Sequence, residues 1–221
     1  MRWLPVTFLV AACAGYAQTR DIVDVLRQSQ QSRLDSMPAA APGPRVETVR
    51  ASFEALRERL PAGVQVELRV VSGGVVAETL HGNVVVANEA LAELTEGERL
   101  FVLGHELGHV LAGHWNQMGA VYKRWIPGEV TPERTDPVAG SLGREASALS
   151  HRQEFEADEY GLRFLRLLGR PSEDAFSAFM HLGMTQDTAT HPGTRKRVAA
   201  LHAAELPVAG LGGSGRGDLE R

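Results

Sequence analysis

The sequence predicts an α+β fold, mostly helical, with one small three-stranded sheet set beside a long apolar-rich helix. Three observations carry that prediction. Apolar and polar residues alternate only between Val64 and Ala87, whereas helical spacing recurs before and after that stretch. A long apolar-rich segment, Glu96 to Trp115, follows the alternating stretch directly. A length of 221 residues with 43% hydrophobic content suits one domain with flanking segments.

Taken in order, Met1 to Ala12 carries one basic residue, Arg2, and a mostly apolar run too short to span a bilayer, which reads as the core of an export signal. Two endings compete. Gly15-Tyr16-Ala17 offers cleavage before Gln18, giving a signal peptide over residues 1–17; Val10-Ala11-Ala12-Cys13 resembles a lipobox, which ends the signal at residue 12 and lipidates Cys13. Cys13 is the only cysteine, so no intrachain disulfide is possible. Residues 18–44 are expected to be tether and linker: a polar helix over Arg20 to Arg33, then the Pro/Ala/Gly stretch Met37 to Pro44. The folded domain is expected over 45–206 and a glycine-rich flexible tail over 207–221.

Val46, Val49, Phe53, Leu56 and Leu60 form one apolar helical stripe, ended by Pro61 and Gly63. Strands are expected at Val64 to Val70, Val75 to Leu80 and Val84 to Ala87, in a sheet antiparallel at least in part. Thr95 with Glu98 makes a capping box for a helix running to about Trp115. Asn116 to Arg144, broken by Pro127, Pro132 and Pro137, reads as a long connection suited to a lid. Helices follow at about Glu145 to Leu168, Glu173 to Leu182 and Thr194 to Ala204. The net charge of -4 and the lack of a basic run longer than Arg195-Lys196-Arg197 argue against nucleic acid as a partner.

The chemistry-bearing residues begin with His105-Glu106-Leu107-Gly108-His109. Histidines four apart on a helix share one face and can share one metal. Glu106 lies about 100° round the helix from His105, placed to take a proton from an attacking water rather than to ligate. Zinc in such a site lowers the pKa of water and polarises a peptide carbonyl. A catalytic zinc needs a third protein ligand. The single-segment route fails, because Ala112 and Trp115 occupy the glycine and histidine positions of an HExxHxxGxxH pattern. His114 is about half a turn out of phase with His105 on a continuous helix and reads as a capping or surface histidine. The other route is a glutamate on a second helix, and Glu154 fits it, with Asp158 four residues on, able to accept the second ring N–H of a ligating histidine.

These residues resemble the gluzincin peptidases of the M48 family. Leu103 to Val110 is similar to its first motif, Glu154 to Gly161 to its E-x-x-A-D-x-x-G signature, and His191-Pro192 with Arg197 to its closing element. The resemblance spans roughly Arg45 to Ala204, with the small bacterial envelope members nearest in character. It implies one zinc per chain held by His105, His109 and Glu154, Glu106 as general base, and Asp158 supporting the ligands. The resemblance implies a catalytic role for His191, as a donor to the oxyanion or in positioning substrate, and Arg197 as a partner for an acidic site residue. Gly82 to Val86 resembles the strand beside the family's cleft, where a free edge could hold an extended substrate. Ser150-His151 stands where the family often has Ser-Arg.

The resulting expectation is a zinc metalloendopeptidase that cleaves unfolded or misassembled cell-envelope polypeptides. Its place would be the periplasmic side of the envelope, as an outer-membrane lipoprotein anchored through Cys13 or, alternatively, soluble in the periplasm. The competing function is an envelope chaperone or assembly factor with a latent or weak peptidase site. A purely structural zinc is disfavoured, because three ligands leave a position open where structural sites close with four.

Overall fold

The computed structural model describes residues 20–205. The signal, Cys13, Gln18 and the 207–221 tail lie outside the described residues. Eight helices and three strands are described: α1 (Ile22–Ser36), α2 (Pro44–Arg57), β1 (Glu67–Val71), β2 (Ala77–Leu80), β3 (Val84–Asn88), α3 (Glu96–Leu111), α4 (His114–Trp125), α5 (Pro132–Thr135), α6 (Ala139–Leu167), α7 (Glu173–Leu182) and α8 (Thr194–Glu205). This is the α+β class with a small three-stranded sheet. Among the described residues, no helix is long and apolar enough to cross a membrane.

α3 runs through the middle of the molecule. Its residues from Gly97 to Gly108 are buried on every face, with the ionisable Glu98, Arg99, His105 and Glu106 among them. The capping box forms: the Glu98 carboxylate accepts from the Thr95 N–H at 2.9 Å, and the Thr95 hydroxyl accepts from the Glu98 N–H. Phe53 and Leu56 of α2, Leu162 and Leu165 of α6 and Phe179 of α7 close the main core around Leu100, Leu103 and Leu107. α3 and α6 approach so closely that a Cβ on Gly108 would stand 2.7 Å from Tyr160 Cβ and 3.0 Å from Ala157 Cα.

The sheet has the order β1-β3-β2, with β1 parallel and β2 antiparallel to β3. All five residues of β3 are buried, so the run Val84 to Asn88 is the central strand. The free edge beside the cleft therefore belongs to β2, not to the Gly82 to Val86 segment expected from sequence. β3 already has a partner on each side, and among the described residues the outer side of β2 is left without a strand partner.

Three further expectations are corrected. Residues 18–44 are not a tether over their described part. Ile22 packs with Ile126 and Leu142, and Leu34 packs with Val71, Leu80, Val84 and Val86. The Pro/Ala stretch covers the outer edge of β1: Ala40 N–H donates to Val70 O at 3.1 Å and Ser72 N–H to Pro38 O at 2.9 Å. A proline-rich segment is already extended, and a sheet edge needs its backbone groups met. Nor is Asn116 to Arg144 a structureless lid, since α4, α5 and the start of α6 occupy most of it. Finally, the helix expected to reach Trp115 ends at Leu111. Gly113, at φ +66°, takes the left-handed conformation that glycine adopts without strain, and α4 restarts at His114.

Candidate metal centre

The site forms where α3 crosses α6. His105 and His109 lie one turn apart on α3, with their Nε2 atoms 3.2 Å from each other. Glu154, on α6, sets Oε2 3.6 Å from His105 Nε2 and Oε1 3.4 Å from His109 Nε2. The three donor groups lie within 4.8 Å of one another. Atoms bound about 2.0–2.1 Å from a tetrahedral zinc stand roughly 3.3–3.5 Å apart, so the observed spacing suits such an ion. Glu154 is 4% exposed, and its Oε2 is buried without a hydrogen-bond partner. Two imidazoles and one buried carboxylate are the donor set of a zinc site with an open position.

Electrostatics in the site favour an anion at Glu154. Burial pushes its carboxyl up, but the hydrogen bond from His109 and the charges of His105 and Arg197 outweigh that and hold it well below the usual carboxylate range. Asp158 behaves alike: burial opposes its charge, and Arg197 and His105 together hold its pKa down. Asp158 Oδ1 lies 2.9 Å from His105 Nδ1, and Arg197 clamps the same carboxylate through Nε to Oδ2 at 2.8 Å and through its second nitrogen to Oδ1. Arg197 Nη1 also lies 3.3 Å from Glu154 Oε2. The stack carboxylate–imidazole–site is thus tied to α8 by one guanidinium.

Glu106 faces the cleft beside the ligand cluster. One residue invisible to motif reasoning holds it: the Thr79 hydroxyl on β2 lies 2.8 Å from Glu106 Oε2 and 2.9 Å from Glu106 O. The available signal was period-two alternation, which turns Thr79 and Ala77 to one face of β2 and Glu78 and Leu80 to the other. Glu78 and Leu80 instead meet Arg33 and Leu34 of α1.

His191, on the loop before α8, stands at the mouth with Nε2 3.5 Å from Glu154 Oε1. Two α6 residues hold that loop: Ser150 Oγ donates to Thr190 O at 2.7 Å, and His151 Nε2 lies 2.8 Å from Thr188 O. His114 is neither surface-exposed nor a side-chain cap. It is 4% exposed, with Nδ1 2.8 Å from His109 Nδ1. The break at Gly113 returns it to the site, which a continuous helix would not. Burial and the neighbouring His109 hold the His114 imidazole below its usual range.

Two lobes of the cleft meet at this point. One, of about 370 Å³, is walled by Leu26 and Gln30 of α1 and by Trp115 and Met118 of α4. The other, of about 240 Å³, is lined by Val76, Phe101, Val102, Phe179 and Leu182. His105, Glu106, Glu154 and His191 border both.

No curated protein matches the chain. Among solved structures, the crystal structure of S. mikatae Ste24p matches with a TM-score of 0.48 and 17% sequence identity, over 80% of this chain and 55% of that one. The chain thus spans about half the length of that structure. The sequence model described as Peptidase family M48 matches residues 75–125, from the start of the cleft edge through the end of α4. That match makes the chain similar to peptidase family M48 over the segment that holds His105, Glu106, His109 and β2.

Proposed function

We propose that the protein is a zinc endopeptidase acting on extended, unfolded polypeptide. The observation that carries this reading is the convergence of His105, His109 and Glu154 on one buried point, with Glu106 beside it. One zinc held by those three residues would supply a Lewis acid for the scissile carbonyl. Glu106, oriented by Thr79, takes the proton of the attacking water and returns it to the leaving amine. His191, at the mouth, donates to the oxyanion that develops on the carbonyl. Asp158 and Arg197 keep the His105 ring fixed while this happens.

The substrate lies along the open edge of β2, where main-chain hydrogen bonds hold any extended segment regardless of sequence. The smaller lobe, lined by Val76, Phe101 and Phe179, takes an apolar side chain next to the scissile bond. Unfolded envelope proteins are the substrate class we favour, supported by the apolar start of the sequence and the lipobox-like Val10 to Cys13. On this reading the mature chain sits on the periplasmic side of the envelope, anchored through Cys13.

Glu106→Gln decides the matter. Cleavage of a casein-like unfolded substrate should fall at least about 100-fold, with zinc still bound at wild-type stoichiometry. Full proteolysis by that variant would overturn the assignment.

A further inference from the structure

We propose that His114, backed by Glu156, is a positioning residue that selects the metal-binding tautomer of His109. The proposal rests on the reading of His105, His109 and Glu154 as the metal site. Two imidazole nitrogens 2.8 Å apart, His109 Nδ1 and His114 Nδ1, share a single proton between two neutral rings. A proton on the His114 side makes His109 Nδ1 the acceptor and leaves the His109 proton on Nε2. There it would point at His105 Nε2 and Glu154, and that nitrogen could not ligate. With the proton on the His109 side, its Nε2 lone pair faces the site. The His114 proton then sits on Nε2, where Glu156 Oε2 lies 3.3 Å away to receive it. A carboxylate accepts and never donates when ionised, so Glu156 at the far end fixes the direction of the whole chain.

The arrangement is built into the fold. The left-handed turn at Gly113 returns His114 to His109, and the His114 carbonyl accepts from the Gln153 side-chain amide at 3.2 Å, pinning it to α6. Each histidine of the pair thereby has its second nitrogen tied to α6. His105 reaches Asp158 directly, whereas His109 reaches Glu156 through another imidazole. Partners of this kind typically change metal affinity 10–100-fold.

The test is zinc affinity, measured by chelator competition, together with 15N NMR of the metal-free imidazoles at mildly alkaline pH. In the wild-type protein, His109 should carry its proton on Nδ1 and His114 on Nε2. His114→Leu should weaken zinc binding about 10–100-fold and let His109 populate both tautomers. His114→Gln, whose carbonyl can accept from His109, should restore most of the affinity. Glu156→Gln, at a half-exposed position, perturbs only the far end and should weaken zinc less than His114→Leu. It keeps the test open if the leucine variant does not fold. Wild-type zinc affinity in a folded His114→Leu, or a proton found on His109 Nε2 in the wild-type protein, would overturn the proposal. Zinc binding that is insensitive to Glu154→Gln would instead overturn the metal site itself.

Discussion

Thr79 and Glu106 illustrate what a single hydroxyl does in a crowded site. The Thr79 proton can be donated to only one acceptor at a time, the carboxylate or the carbonyl of the same residue. Either bond holds Glu106 against β2, and the bond to Oε2 fixes the carboxylate beside the ligand cluster. A hydrogen bond to a charged group contributes about 1.5–3 kcal/mol. Thr79→Val keeps the branched shape and removes the bond, and kcat should fall about 10–100-fold with zinc affinity unchanged. Thr79→Ser should recover most of that loss, and a valine variant with wild-type kcat would show that the hydroxyl does not orient the base. Neither Glu106 nor Thr79 marks this pairing in the sequence, because the two lie on separate elements and meet only through sheet–helix packing. His105, Glu106, His109 and Glu154 were legible for the opposite reason. Their spacing along two helices carries their chemistry locally.

At the scale of elements, the site depends on how tightly α3 and α6 approach. Glycine at 108 lets Ala157 and Tyr160 of α6 lie against the α3 backbone, and this contact brings Glu154 to the two histidines. Gly108→Ala would place a methyl 2.7 Å from Tyr160 Cβ. The helices must then part, at a cost of about 1–3 kcal/mol in denaturant unfolding and with weaker zinc binding. An alanine variant as stable as the wild type would show that the interface absorbs the methyl. The helix break at Gly113 is an element-scale event as well. Helical spacing extended α3 to Trp115, because a lone glycine in an apolar run is compatible with helix. Only the left-handed backbone at Gly113 shows the stop, and it converts His114 from an out-of-phase residue into a neighbour of His109.

For the whole molecule, α1 and the Pro/Ala stretch after it close one wall of the cleft and cover the outer edge of β1. Leu34→Ala should therefore destabilise the protein by about 2–4 kcal/mol, read as a lower unfolding midpoint. No change would mean that residues 18–44 behave as a free tether after all. On the proposed reading a bound zinc would act globally too, since α3 and α6 would both contribute its ligands. An ion present at 100 times its dissociation constant adds about 2.7 kcal/mol of stability. Chelation should therefore lower the melting temperature, and re-addition of zinc should restore it. A melting curve indifferent to chelator would count against a site shared between the two helices.

By itself, the amino-acid sequence determined the α+β class, the three strands, the capping box at Thr95 and Glu98, and the candidate ligands on two helices. All of these are local: a period, a cap or a four-residue spacing acts within one element and needs no knowledge of its neighbours. Tertiary structure alone decided that β2 is the open edge, that α1 packs against the sheet, and that Thr79 and His114 reach the site. Those outcomes depend on which surfaces exclude water together and on one glycine turning the backbone. Such long-range packing joins residues whose separation along the chain carries no record of their contact.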